Sequence, residues 1–199
     1  MLLLKKRDGL LKTFGAWTYN CGHRYRLNSI LRDWHIKEIE SKYRFSLPKD
    51  YREYLHRVGN GGAGPYYGLF TLEESLLYET ETLSAEFLSS PFPHEAAFNP
   101  FQEGVTEEEE SHSRHVCGSI AICGMGCGDV ARLVIAGPQR GMVWTDNRAN
   151  YKGFSPTGQS FYDWYDYWLT TSLSSLRVGP FSWLIGRMRT CCEMFCGIG

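Results

Sequence analysis

Three short β-prone runs in the middle of the chain constrain its fold most. They are Ile120-Ala121-Ile122, Val130–Ala136 and Met142-Val143-Trp144. Gly124-Met125-Gly126-Cys127-Gly128 separates the first two, and Gly137-Pro138-Gln139-Arg140-Gly141 separates the second from the third. Short runs joined by hairpin turns of this kind predict an antiparallel meander. Within the second run, Val130, Arg132 and Val134 alternate with Ala131, Leu133 and Ile135, so the two sets face opposite sides.

Helical signals lie on both sides of the meander. Residues 29–45 carry Ile36, Ile39 and Tyr43 at spacings of three and four, with Ile30 and Trp34 four apart at the start. Pro48 suits the first position of a second helix. Tyr51, Tyr54, Leu55 and Val58 form its apolar face, and Gly59-Asn60-Gly61-Gly62 ends it. Residues 63–70 read as a loop entering a short strand. Thr71-Leu72-Glu73-Glu74 has the form of a capping box and opens a helix predicted to run to about residue 88. Residues 89–114 hold Pro91, Pro93, Pro100 and Glu107–Glu110, and read as a long mobile surface loop. Residues 148–159 read as a further loop. Ser160-x-x-Asp163 then starts a helix whose Phe161, Trp164, Tyr165 and Trp168 face the core. Residues 1–28 read as an N-terminal extension, residues 29–170 as the domain, and residues 171–199 as a tail or an extra helix.

Charge is strongly segregated behind a net total of −1. Residues 1–57 hold 13 Lys/Arg against 6 Asp/Glu, whereas residues 71–113 hold 11 Glu and no Lys, Arg or Asp. The balance argues against a general nucleic-acid binder, and the acidic stretch suits either a solvated face or a dock for a basic partner. An aromatic content of 15% supplies enough apolar area to exclude disorder for the bulk of the chain. No stretch reaches the roughly 18 uncharged apolar residues of a spanning helix. The order Leu2-Leu3-Leu4 then Lys5-Lys6-Arg7 is the reverse of a secretory signal, so none is assigned. Seven cysteines, an odd number in a chain of 199 residues, fit a reduced, cytoplasmic protein.

Taken in order, Leu47-Pro48-Lys49-Asp50-Tyr51-Arg52-Glu53-Tyr54-Leu55, Asn60-Gly61-Gly62, Gly68-Leu69, Gly126-Cys127-Gly128-Asp129, Gly141-Met142-Val143-Trp144 and Ser160-Phe161 through Trp168-Leu169 resemble the SUKH superfamily. That superfamily is named for the Smi/Knr yeast cell-wall regulators and their bacterial relatives, and the resemblance covers roughly residues 29–170. It implies an α+β fold with a central, mainly antiparallel sheet flanked by helices. It also implies a non-enzymatic binding role. Most bacterial members are similar to immunity proteins that neutralise toxin domains, often nucleases, and fungal members look like regulatory scaffolds. The extension, the acidic loop and the cysteine-bearing tail fall outside the pattern.

The leading expectation is therefore an immunity protein that occludes a cognate toxin domain. A nuclease toxin presents a basic face to hold phosphates, and the acidic 71–113 segment would stand in for nucleic acid. Tyr66, Tyr67 and Trp144 are candidate anchors. Glu73, Glu74, Glu79, Glu81, Glu107, Glu108, Glu109 and Glu110 are candidate steering charges. No cofactor, direct nucleic-acid contact or membrane partner is expected, and the oligomeric state is left open. The alternative is a cytoplasmic regulatory scaffold without a toxin.

Catalytic and metal chemistry have weaker signals. Cys123-x3-Cys127 and Cys191-Cys192-x3-Cys196, with His112 and His115 near the first pair, lack regular zinc spacing and read better as buried small side chains. Cys127 with His112 or His115 would be needed for a thiol enzyme, but the surrounding glycines read as a hairpin turn. Gly-x-Ser-x-Gly, Walker and His-Glu-x-x-His motifs are absent from the sequence.

Overall fold

A computed structural model describes residues 1–17, 22–78, 83–102 and 113–176. It shows an α+β arrangement. Strands β1 (Ser119–Gly126), β2 (Asp129–Val134), β3 (Met142–Asp146) and β4 (Phe154–Ser160) form one sheet in sequence order, antiparallel throughout. The helices among the described residues are α1 (Leu2–Arg7), α2 (Asp33–Tyr43), α3 (Lys49–Arg57), α4 (Leu72–Leu77), α5 (Ala85–Ser89) and α6 (Phe161–Ser175).

The predicted meander is present, with one more strand than expected. Residues 148–159 were expected to be a loop, yet β4 pairs Asp146 with Phe154 and Met142 with Ser160. Its Pro156 and Gly158 mask the strand signal, and the sheet edge tolerates them because no further strand needs their N–H groups. The Thr157 hydroxyl also donates to the Val143 carbonyl at 2.6 Å.

Local chemistry explains most helix ends. Thr71 and Glu74 form the predicted capping box at 3.0 and 2.7 Å. The helix it opens stops at Leu77 rather than near residue 88, and α5 starts afresh where the Ser84 hydroxyl accepts the Phe87 N–H. Ser160 caps α6 through the Asp163 N–H. Pro48 lies one position before α3, and Val58 lies just beyond it, more exposed than its predicted core role requires. Ile30 and Trp34 are likewise exposed, whereas Ile36 and Ile39 are buried. Arg52 of α3 pairs with both Asp33 and Glu40 of α2, tying the two helices together.

The main core joins Ile36, Tyr51, Leu55, Leu72 and Phe161 of the helices to Ile120, Leu133 and Val143 of the sheet. The N-terminal extension packs as well. Leu4, Ala16 and Tyr25 form a satellite core with Trp168, Leu169, Leu173 and Leu176. The aromatic face of α6 is thus shared, with Phe161 and Trp164 in the main core and Trp168 against the N-terminal residues. The helix continues past residue 170 to Ser175.

The other sheet face holds a buried charge cluster. Register places Arg132 opposite Trp144, and Val130 opposite Asp146. Arg132 donates through Nε to Asp146 Oδ2 at 2.9 Å and through Nη1 to Ser119 Oγ at 3.3 Å. Arg148 donates twice to the same carboxylate at 2.8 Å and stacks over the Phe154 ring at 4.8 Å. Burial works to raise the Asp146 pKa, but the Arg148 hydrogen bonds and the Arg132 charge outweigh it and hold the carboxyl below its ordinary range.

Residues 92–98 cover this cluster, which corrects the expectation of a surface loop from 89 onward. Phe92 and His94 are buried, the Phe92 N–H donates to Ala136 O at 3.1 Å, and Phe98 bridges to Phe154. His94 stacks on Phe98 and Phe154 at 4.8 and 4.7 Å. A sheet buried on both faces needs a cover on each, and this segment supplies the second. Residues 103–112, which include Glu107–Glu110, lie outside the described residues.

Two expectations follow from these buried groups. Asp146→Ala leaves the Arg132 guanidinium buried without its carboxylate, and urea unfolding should show a loss of about 3–5 kcal/mol; a loss below about 1 kcal/mol would show that the pair carries little. The second concerns pH. Burial lowers His23 and His94 to a pKa of about 4, from 6.5 when unfolded. The unfolded chain therefore binds more protons between those values, so their stabilisation is intact above pH 6.5 and is lost as pH falls towards about 4. The urea midpoint should drop across that window, and His23→Gln with His94→Gln should flatten the drop.

Candidate functional site

The loop after α3 organises the most aromatic part of the surface. Gly61 and Gly62 both adopt left-handed backbone angles, with φ of +79° and +95°. A Cβ on Gly62 would lie 2.5 Å from the Arg26 carbonyl oxygen, and one on Gly61 2.4 Å from that of Phe70. Only glycine permits both the angle and the approach. Gly62 in turn bridges to Leu27 and Leu69, and Leu69 bridges to Cys123 of β1. Asn60 completes the junction. Its Oδ1 accepts the Leu72 N–H at 2.7 Å, and its Nδ2 donates to Glu73 at 2.8 Å.

From this junction a row of rings projects over the end of β1. Tyr67 lies against Gly126, whose Cβ position is 3.1 Å from the ring, and packs on Phe14 at 5.2 Å between centroids. Phe70 lies over Gly124 and stacks on Tyr78 at 5.8 Å. At Gly126, with φ of +102°, a larger residue would press on the Tyr67 ring, whereas Gly124 leaves ordinary contact distance to Phe70. Next to the row, Trp34 stacks on His35 at 5.3 Å, and His35 Nε2 is 3.7 Å from Glu73 Oε1. Leu77 lies one turn beyond Glu73 on α4. Phe14, Trp34, Leu77 and Tyr78 are each about half or more exposed, at 60, 62, 60 and 47%.

The predicted site residues divide on this map. Tyr67 is exposed within the row, whereas Tyr66 is half-buried against the main core with φ of +50°. Trp144 is fully buried, packed on Phe92 at 5.2 Å, so it is a core residue and not a surface anchor. Its place on an internal strand opposite Arg132 dictates this. Glu73 and Glu74 lie beside the rings, but both have structural duties: Glu73 binds Asn60 and faces His35, and Glu74 caps α4. Glu79, Glu81 and Glu107–Glu110 lie outside the described residues. Sequence reasoning missed Phe14, Phe70, Leu77 and Tyr78, and treated Trp34 as part of a helix start. The available signal was the clustering of aromatics around the Gly-rich turn.

Of the Cys123–Cys127 pair expected to be buried small side chains, Cys123 is buried and Cys127 is not. Cys123 is buried, its S–H donates to Pro65 O at 3.2 Å, and burial pushes its pKa up. Cys127 is exposed in the β1–β2 turn with φ of +52°, whereas His115 is buried beside His94 at 5.7 Å. Among the described residues no three His, Cys, Asp or Glu side chains come together as metal ligands. Cys191, Cys192, Cys196 and His112 lie outside the described residues. No described helix is long and apolar enough to cross a membrane.

Comparison with known proteins gives one finding. No curated protein and no solved structure gives a significant match. The family model described as the SMI1 / KNR4 family (SUKH-1) matches residues 31–167. That span runs from the start of α2 into α6, takes in the Gly61–Gly62 junction, the four strands and most of the aromatic row, and leaves out Phe14 and α1. With more than half of its length matched in this way, the chain belongs to the SMI1/KNR4 (SUKH-1) family.

Proposed function

We propose that this protein is a non-enzymatic binding module of the cytoplasm, and specifically a bacterial immunity protein that neutralises a cognate toxin domain by stoichiometric occlusion. Family membership supports a protein-binding role of this kind. The single observation that carries the reading is the aromatic row of exposed Phe14, Tyr67 and Tyr78 around half-buried Phe70, with Trp34, Leu77 and the Glu73–Glu74 pair beside it. Interface hot spots combine rigid aromatic anchors with flanking charge that sets orientation. A basic, phosphate-holding toxin face complements the acidic 71–113 stretch, which carries 11 Glu and no Lys or Arg. The free thiols of Cys117 and Cys123 fit a reducing compartment.

The occluding face is Tyr67 with its ring neighbours, and the glutamates, including Glu79, Glu81 and Glu107–Glu110, steer the approach. Affinity capture of the tagged protein at low and high salt, with mass spectrometry, should retain one stoichiometric partner bearing a basic toxin domain. Several housekeeping partners would instead favour a regulatory scaffold.

Two expectations test the face with the captured partner. Tyr67→Ala should weaken binding by about 2 kcal/mol or more, roughly thirtyfold in Kd by calorimetry, with little change in Tm because the ring is partly exposed. An unchanged Kd would remove the row from the interface. Replacing Glu107, Glu108, Glu109 and Glu110 with Gln should slow association in stopped flow, chiefly at low salt. An association rate that is unaltered at low salt would discard the steering role.

A further inference from the structure

The segment Leu2-Leu3-Leu4-Lys5-Lys6-Arg7 has no part in the docking face, and its geometry points elsewhere. Leu4 is fully buried against Trp168, Leu169, Leu173 and Leu176 of α6 or just beyond it. That contact fixes the rotation of α1. At about 100° per residue, Leu2 and Lys6 lie opposite Leu4, with Leu3 and Lys5 on the flanks. Leu2 is 86% exposed and Leu3 44%. A locked leucine on the inner side thus presents two leucines and two lysines outward.

Asp8 removes the one negative charge from this surface. It is the only acidic residue in the first 32, which hold seven Lys/Arg. Its buried carboxylate accepts the Tyr25 hydroxyl at 2.6 Å, the Lys12 N–H at 2.7 Å and the Thr13 N–H at 2.8 Å. The turn it closes leaves Leu10 exposed. Residues 2–12 therefore present Leu2, Leu3 and Leu10 with Lys5, Lys6, Arg7 and Lys12, and no exposed carboxylate.

We infer that residues 2–12 dock on an anionic phospholipid surface. The three leucines enter the boundary between headgroups and acyl chains, and the four basic side chains meet lipid phosphates. Aliphatic side chains interleaved with cations match that interface in both respects. A nucleic acid satisfies the cations but offers the leucines no apolar layer. The expectation of no membrane partner rested on the missing spanning stretch, which has no bearing on a surface contact. An anchor of this size binds reversibly and needs both components. The inference stands apart from the toxin reading, because it uses none of the aromatic row.

Flotation of the full chain with vesicles tests it. Binding is expected to phosphatidylcholine vesicles containing phosphatidylglycerol and not to phosphatidylcholine alone. Lys5→Gln, Lys6→Gln and Arg7→Gln together should weaken partitioning about a hundredfold, at about fivefold per charge. Leu2→Ser, Leu3→Ser and Leu10→Ser together should weaken it at least about tenfold, and the exposure of these residues predicts an unchanged Tm. Absence of binding to the anionic vesicles overturns the inference. So does binding that ignores the leucine changes, which marks a general polyanion contact. A wild-type chain that sediments as a dimer and becomes a monomer on leucine replacement would assign the patch to a second copy and overturn it as well.

Discussion

The close backbone approach at Gly61 and Gly62 is the constraint on which most of the structure depends. There the chain leaving α3 passes within contact of residues 26–28 on one side and Leu69–Phe70 on the other. A single methyl group at either glycine would separate these segments. Because Leu69 then bridges to β1, the junction ties the N-terminal residues, α3, α4 and the sheet into one unit. Asn60 reinforces it by filling the needs of the Leu72 N–H and the Glu73 carboxylate together. The exposed ring of Tyr67 and the half-buried ring of Phe70 sit on the loop that this junction holds, so the aromatic row is held in place for the same reason that the fold is continuous.

The opposite side of the sheet follows a different logic. Arg132, Asp146 and Arg148 are charges in a place where aliphatic side chains would pack with less desolvation. Asp146 receives both guanidinium groups, and the stacked His94, Phe98 and Phe154 rings exclude water around them. Such a cluster tolerates little displacement, because any shift leaves a charge unpaired. It thereby selects one register between β2 and β3, where a slip of one residue would turn Arg132 to the other face. Specific pairing, rather than net stability, is the physical consequence.

Some of this was legible from the sequence because the signals were local. The Thr71–Glu74 capping box, the Ser160 cap, the three strand runs and the glycine stop after α3 each depend on residues within a few positions of one another. β4 was not legible, since Pro156 and Gly158 look like loop residues until an edge position makes them acceptable. The end of α4 at Leu77 was missed because no Gly or Pro lies between it and α5 to mark a stop. At the candidate site, the exposure of Tyr67 was legible from its loop context, whereas the burial of Trp144 was not. Both are aromatics near turns, and nothing within the sequence window says which of them a second layer will cover.

The sequence alone determined the antiparallel meander, the helical caps, the segregated charge and the resemblance to one family, because these arise from short-range spacing and composition. Tertiary structure alone decided which aromatic residues are exposed, that Arg132 is buried with Asp146, and that Leu4, Ala16 and Tyr25 pack on the last described helix. Those outcomes depend on contacts between residues far apart in the chain. Arg132 and Asp146 are 14 positions apart, and Leu4 and Trp168 lie near opposite ends. Burial belongs to the surface left after all layers have packed, and no local pattern specifies that surface.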